Sequence, residues 1–292
     1  MLPHSLLKEI EKKLSHQLNR ALVVRHHQSV GGGCINNANR LETTVGFYFL
    51  KWNNAHAYPG MFEAEAKGLK LLRSAGAIFI PEVIATGEAE NKSFILLEFI
   101  EAGRRIKNFW EDFGAKLASL HKNSSDAFGL DHDNYIGSLP QSNKKHSGWA
   151  DFFIHERLEK QIVLAKNSGA IGNSEVQQFH NLEKHIYEII PEEKPALLHG
   201  DLWNGNYMIA NDGTACLIDP AVYYGHREMD LAMTKLFGGF AVEFYQAYNE
   251  RYPIQKGFEL RADIHNLYPL LVHVNLFGGG YVQQVKAVLS KF

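Results

Sequence analysis

Leu198-His199-Gly200-Asp201-Leu202-Trp203-Asn204-Gly205-Asn206 is the densest run of chemistry-bearing side chains in the chain. It leads into Tyr207-Met208-Ile209-Ala210, then Asn211-Asp212-Gly213, then Thr214-Ala215-Cys216-Leu217-Ile218-Asp219. An Asn-Asp-Gly step between two apolar runs predicts a β-hairpin. Pairing those strands brings Asn206, just before the first, close to Asp219 at the end of the second. An amide oxygen and a carboxylate then share one end of the hairpin. Such hard oxygen ligands suit Mg²⁺, which completes its shell with water and substrate phosphate. Asp201, five residues before Asn206 on the entering loop, is placed to face a substrate hydroxyl.

His-x-Asp, four residues, Asn and a later Asp on a strand is the spacing of the protein-kinase catalytic layout, with Asp201, Asn206 and Asp219 in the three roles. That layout requires upstream parts. A lysine must end a strand in the first lobe, and Lys51 ends Phe47-Tyr48-Phe49-Leu50-Lys51-Trp52. A helix acid must hold it, and Met61-Phe62-Glu63-Ala64-Glu65-Ala66-Lys67-Gly68-Leu69 offers Glu63 and Glu65. Glu65 is preferred because it lies one turn before Leu69, on the apolar side that packs on the sheet. Gly31-Gly32-Gly33 falls between the first two strands, where backbone N–H groups can cover phosphates, although it is not a G-x-G-x-x-G. Leu97-Glu98-Phe99-Ile100 ends the fifth strand and forms the lobe connection, where main-chain groups of Glu98 and Ile100, flanking Phe99, would bond adenine.

The rest of the chain arranges itself around these parts. Ser5 heads a first helix with Leu6, Leu7, Ile10, Leu14 and Leu18 at helical spacing. Extended runs follow at 21–24, 41–45 and 47–52, a helix at 61–74, and strands at 81–85 and 94–99. From Asn108 the pattern turns helical, at 109–122, 149–166 and 174–190, with Leu139-Pro140-Gln141-Ser142-Asn143 reading as loop and a β island between Leu197 and Asp219. This is an α+β, two-lobed, protein-kinase-like arrangement: residues 1–100 form a β-rich nucleotide-binding lobe and 101–292 a mainly helical catalytic and substrate lobe, with a cleft expected at the join.

Composition narrows the function classes. The chain has 292 residues, 45% hydrophobic and 21% charged, which excludes global disorder and a small disulfide scaffold. A formal net charge of -2 gives no bulk attraction to nucleic acid or anionic membrane, so bound phosphate must be held by a few placed groups. No basic n-region with an apolar core opens the chain and no run of 18 apolar residues spans a bilayer, which points to a soluble cytoplasmic protein. Two cysteines are too few for a disulfide framework. Cys216 reads as packing on a hairpin strand, and Cys34, in the glycine loop, is either a packed small residue or an accessible redox-sensitive thiol. The 15 histidines form no His-Glu-x-x-His; His199 is expected to brace the catalytic loop.

These residues carry a family resemblance. The chain resembles the fructosamine (ketosamine) kinases of the aminoglycoside-phosphotransferase-like branch of the protein-kinase fold, over almost its whole length. Besides the catalytic string, the most specific segments are Ile218-Asp219-Pro220-Ala221-Val222-Tyr223-Tyr224-Gly225-His226-Arg227-Glu228 and Asn275-Leu276-Phe277-Gly278-Gly279-Gly280-Tyr281. Asp219 is followed by Pro220 where protein kinases have Phe-Gly, which disfavours a protein-kinase substrate. The resemblance implies ATP and Mg²⁺ as cofactors and phosphorylation of the sugar 3-hydroxyl of a glycated amine: a fructosamine, a ribulosamine or a glycated lysine. It implies Asp201 as proton acceptor, Asn206 and Asp219 as metal ligands, and Lys51 held by Glu65 on the phosphates. Trp203 becomes either a sugar-stacking platform or an aromatic packed beneath the loop, and Arg227 and Glu228 either touch substrate or pair to fix their loop. Two alternatives stand beside this reading. One is a kinase for another hydroxyl acceptor, of aminoglycoside or choline type; the other is a silent nucleotide-binding scaffold, against which Asp201, Asn206, Asp219 and Lys51 are all present. Assembly state, including a homodimer, stays open.

Overall fold

The computed structural model describes residues 2–31 and 35–292. Helix α1 (His4–Gln17) precedes strands β1 (Val24–Ser29), β2 (Asn37–Thr43) and β3 (Gly46–Asn54), helix α2 (Met61–Ser74), and strands β4 (Val83–Ala89) and β5 (Lys92–Glu98). There follow α3 (Phe109–His121), a small hairpin of β6 (Asn134–Ile136) and β7 (Leu139–Gln141), and α4 (Trp149–Phe152) running through a π-helical turn, Phe153–Leu158, into α5 (Glu159–Asn167). After α6 (Asn173–Ile189) come short strands β8 (Ala196–Leu198), β9 (Tyr207–Ile209), β10 (Ala215–Leu217) and β11 (Tyr223–Gly225), then α7 (Glu228–Leu236), α8 (Val242–Arg251), α9 (Phe258–Phe277) and α10 (Tyr281–Leu289).

The chain divides into two compact units. One comprises Met1–Ile106 together with Met208–Ile218; the other comprises Lys107–Tyr207 and Asp219–Phe292. The boundary therefore falls six residues later than the 100/101 break read from the pattern change, and the hairpin segment goes with the first unit. Its apolar faces explain this: Met208, Ala210, Cys216 and Ile218 pack with Phe79 and Ile100 in one cluster, and Leu217 donates its N–H to the Phe79 carbonyl at 3.0 Å.

In the first unit five antiparallel strands run in the order β1-β2-β3-β5-β4. Strand side chains alternate between faces. Leu50 and Trp52 of β3 join Leu41, Phe94 and Leu96 under the buried stripe Leu6, Ile10 and Leu14 of α1. Lys51 between them belongs to the opposite face, where α2 lies against β4 and β5 and buries Phe62, Leu69 and Leu72. The helix at 61–74 agrees with its apolar spacing, and Gly76 at φ +62° ends it.

Three local readings change. Ser5 lies inside α1, which starts at His4 after Pro3 without a side-chain cap. The first strand is Val24–Ser29, not 21–24: Arg25-His26-His27-Gln28 on a sheet edge are mostly exposed and carry no apolar signal, yet Val24 and residues 26–29 pair with Asn39–Thr43 around an irregularity at Arg25. The 139–143 loop contains β7, paired Asn134↔Gln141 through Ile136↔Leu139, a hairpin too short to show a period.

In the second unit α3 and α8 pack so closely that a side chain at Gly114 would stand 2.1 Å from the Phe244 carbonyl oxygen. Strands β8 and β11 pair antiparallel and set Leu198 opposite Tyr223, which fixes where the catalytic string begins.

Candidate active site

The loop leaving β8 is held from below by one buried carboxylate. Asp230, on α7 and 1% exposed, accepts the His199 backbone N–H on Oδ2 at 2.7 Å and the Gly200 N–H on Oδ1 at 2.9 Å. Its Oδ2 also meets His121 Nε2 at 3.2 Å, and His121 Nδ1 meets the Tyr248 hydroxyl at 2.8 Å. Burial alone would raise the Asp230 carboxyl, but His121 and the loop's N–H groups outweigh it and hold the group below its ordinary range. The sequence assigns Asp230 no role, although the residue lies in a segment that carries the family resemblance. Its signal is an acid inside the apolar run Met229-Asp230-Leu231-Ala232-Met233, where a buried charge needs dedicated donors.

His199 braces the loop as expected: fully buried, it accepts the Asp201 backbone N–H on Nδ1 at 3.3 Å, and its carbonyl accepts the Ala221 N–H at 2.9 Å. Between them Gly200, at φ +82°, lies where a Cβ would come within 2.1 Å of the Ala221 oxygen, so only glycine fits.

The three oxygen-bearing residues meet through Asn206. Its Nδ2 donates to Asp201 Oδ2 and to the Asp201 carbonyl, each at 2.8 Å, and reaches the Asp219 carbonyl at 3.5 Å. With the amide nitrogen committed, its oxygen is the end that remains for a cation, and Asp219 adds a carboxylate. That donor set, hard oxygens beside a further acid, fits Mg²⁺. Loss of hydration, countered by the Asn206 bond and reinforced by the charges of Asp219 and Asp230, pushes the Asp201 carboxyl up to about 7. Such a group is poised to exchange a proton near neutrality. Asp219 has φ +54°, a left-handed backbone uncommon for a residue with a side chain.

Trp203 is 36% exposed, with its ring edge-on to Phe237 at 5.9 Å. Beneath it Gly205 leaves room: a Cβ there would stand 2.5 Å from two indole carbons. The reading of Trp203 as an aromatic buried under the loop is therefore not the observed one.

In the first unit Lys51 Nζ lies 2.7 Å from Glu65 Oε1, with both side chains about nine-tenths buried. Glu63 is not the partner, as its place on the helix foretold. Asn53, two residues on and on the same strand face, donates to Asn36 Oδ1 at 2.9 Å and accepts the Ser93 hydroxyl at 2.7 Å, so it ties β3 to the segment after the glycine run. The Glu98 backbone N–H bonds the Glu82 carbonyl at 2.9 Å, which removes it as a donor to adenine. Phe99 packs its ring 6.1 Å from Phe47, with the Arg40 guanidinium over both, and Ile100 is buried against Met208 and Ile218. Gly31 is exposed at the end of the described segment; Gly32, Gly33 and Cys34 lie outside the described residues.

For Arg227 and Glu228 the substrate contact is corrected. Both are buried, 2% and 0% exposed, and neither has a surface to offer a substrate. The other reading, pairing that fixes their segment, is the one observed, with partners elsewhere in the chain. Arg227 forks onto Glu193 at 2.7 and 2.8 Å, and Arg261 forks onto Glu228 at 2.7 Å to each oxygen. Burial works against the charge of Arg227, and the Glu193 bond reverses it and raises the guanidinium above its ordinary value. His226, Glu228 and His265 place ligand atoms within 4.8 Å of one another, but Arg261 already occupies both Glu228 oxygens. Cys216 is fully buried, and the lost hydration pushes its thiol up to about 12.

Comparison with known proteins agrees with this arrangement. The family model described as fructosamine kinase matches residues 6–292. A probable ketoamine kinase of Synechocystis is 39% identical over 283 residues, covering 97% of this chain and 95% of the relative. A crystal structure assigned as a fructosamine-3-kinase from Haemophilus somnus superposes with a TM-score of 0.88 at 32% identity, covering 97% of this chain and 96% of that one. The aminoglycoside phosphotransferase APH(4)-Ia, at 15% identity, shares the fold alone, with a TM-score of 0.64 over 97% of this chain and 98% of that one. From a buried acid gripping the catalytic loop to a match along nearly its full length, the chain belongs to the fructosamine kinase family.

Proposed function

We propose that this protein transfers the γ-phosphoryl group of ATP to the 3-hydroxyl of a ketosamine, a sugar joined to an amine as in fructosamines, ribulosamines and glycated lysine. The observation that carries the reading is the contact of Asn206 with Asp201 and with the Asp219 carbonyl, which assembles a proton acceptor and two oxygen ligands at one end of the β9–β10 hairpin. Family membership supports the choice of acceptor.

In this reading Asp201 orients the sugar hydroxyl and takes its proton as the oxygen–phosphorus bond forms and the bond from phosphorus to the ADP oxygen breaks. Asn206 keeps Oδ2 of that carboxylate fixed by donating to it, leaving Oδ1 to meet the hydroxyl. A Mg²⁺ ion held by the Asn206 amide oxygen and the Asp219 carboxylate would neutralise charge on the phosphates. Lys51, aimed by Glu65, holds the phosphates; with the net charge of the chain at -2, such placed groups supply the attraction. Adenine is served by the Ile100 main chain and the Glu98 carbonyl, with Met208 and Ile218 as the half-buried apolar surface beside Ile100. Gly31-Gly32-Gly33 would cover the phosphates with N–H groups. Trp203 offers its exposed ring to the sugar. Cytoplasmic residence, with its supply of ATP, accords with this chemistry, and no helix among the described residues is long and apolar enough to cross a membrane.

The test is ATP turnover with fructosyl-lysine, followed by phosphorus NMR. A sugar 3-phosphate with matching ADP is the expected product. Phosphorylation of an aminoglycoside or choline-type alcohol, with no turnover of fructosyl- or ribulosyl-amines, would replace this acceptor with the other.

A further inference from the structure

The segment Asn275-Leu276-Phe277-Gly278-Gly279-Gly280-Tyr281 has no part in the phosphoryl-transfer machinery described above. In the structure it is the junction of α9 with α10. Gly278 and Gly279 have φ of +64° and +63°, left-handed values that let the chain reverse at once and bring the rings on either side together. Phe277 and Tyr281 stand 6.4 Å apart, and both pack on His273, at 5.6 and 4.9 Å.

From His273 the contacts continue towards the catalytic loop. His273 lies 4.8 Å from Phe237, and Phe237 lies edge-on to Trp203 at 5.9 Å. Asn204 ties the same two elements, donating its amide to the Phe237 carbonyl at 3.3 Å. The His273 ring donates to the Pro269 carbonyl at 2.7 Å, which fixes its plane; burial depresses its pKa, so it is a neutral aromatic at pH 7. The result is a continuous file of five rings that begins two residues from Asp201 and ends at Phe277, exposed at both ends: Trp203 by 36% and Phe277 by 55%.

A ketosamine has two parts. The sugar must lie at Asp201, and the amine carrier extends away from it. We propose that the file running outward from Trp203, whose ring meets the sugar, through Phe237, His273, Phe277 and Tyr281 receives this carrier and selects ketosamines whose amine bears an aromatic or other planar apolar group. The inference rests on the ketosamine kinase reading. Its support is the file's continuity with the catalytic loop, the absence of any charged side chain among its five members, and the tight glycine junction that sets its outer rings. A file of tilted and edge-on rings of this kind favours a planar guest over a charged or small one.

The experiment compares kcat/KM for fructosyl-phenylalanine and fructosyl-glycine, both at saturating ATP. The wild-type protein is expected to favour the aromatic acceptor by about tenfold, the scale of one good ring contact. In Phe277→Ala and in Tyr281→Ala that ratio should fall to near one, whereas Val163→Ala, an exposed apolar change on α5, should leave it at the wild-type value. Equal kcat/KM for the two acceptors in the wild type overturns the inference, as does a ratio that both ring deletions leave intact. So does a change in sedimentation with Phe277→Ala at an unchanged ratio, which would assign the outer rings to a second copy of the chain. Turnover of neither acceptor would instead remove the ketosamine kinase reading itself.

Discussion

The Asp230 carboxylate accepts the backbone N–H of Gly200 at 2.9 Å and so fixes the chain one residue before Asp201. Its other oxygen holds His199, and His121 supports it from α3. Replacing Asp230 by Asn puts an amide N–H against a backbone donor. We expect kcat to fall by about ten- to a hundredfold, the effect of leaving one buried donor unpaired, with the ATP KM almost unmoved. Steady-state kinetics with separate titration of both substrates checks this; a raised ATP KM at unchanged kcat would contradict it.

Asp201→Asn preserves the shape of the side chain but cannot take a proton. Turnover is expected to drop by about 10²- to 10⁴-fold, while ATP binding measured by calorimetry is retained. Retained turnover would take the proton-accepting role away from Asp201.

Lys51 and Glu65 are each about nine-tenths buried, so removing one takes a charged partner at 2.7 Å away from the other. Lys51→Met should destabilise the fold by about 3 kcal/mol and raise the ATP KM. Adding Glu65→Leu should restore most of the lost stability without restoring ATP affinity. Thermal unfolding of both variants, alongside ATP titrations, separates structural worth from nucleotide binding; equal melting points for the single and double variants would refute the pairing argument.

Acid should unfold the protein in two overlapping stages. Loss of hydration, reinforced by neighbouring His265, lowers His226 from its ordinary value to about 4, so the unfolded chain binds this proton first. Stability is then lost as pH falls from 6.5 towards 4. For Glu228 burial alone would raise the carboxyl, but the Arg261 fork outweighs it and holds the group down at about 2, so its contribution is lost as pH falls from 4.5 towards 2. Both groups bind more protons unfolded than folded through these windows, and the sign is the same. Urea midpoints measured between pH 7 and 4 should decline, and His226→Gln should flatten the upper part of the decline. An unchanged slope in that variant would discharge His226 from the effect.

Much of this molecule is legible in its sequence, and the exceptions have physical causes. Glu65 could be chosen over Glu63 because helix spacing fixes which face meets the sheet. The hairpin between Asn206 and Asp219 announces itself through Asp212-Gly213, where Gly213 takes φ +82°. By contrast, β1 is an edge strand of polar residues, and nothing in Arg25-His26-His27-Gln28 alternates in hydropathy. Arg227 and Glu228 resemble active-site charges because they sit beside a catalytic segment; only the fold reveals Glu193 and Arg261, 34 and 33 residues away, as their partners. The division into compact units differs from the break in sequence pattern for a related reason. A composition shift marks where helices begin, but the hairpin at 208–218 returns to the first unit through apolar contacts made with residues more than a hundred positions earlier.

At Asp219 the backbone and the side chain impose different demands on the same codon. The left-handed backbone, φ +54°, is best tolerated by Gly, Asn and Asp. In the proposed metal role this position must also bring a negative charge at the right reach. Asn keeps the turn and surrenders the charge; Glu keeps the charge but brings a longer side chain to a strained turn. Asparagine is thus the replacement that would separate the two demands experimentally, and a saturation library at this position should show a narrow peak at aspartate with no gentle slope leading to it.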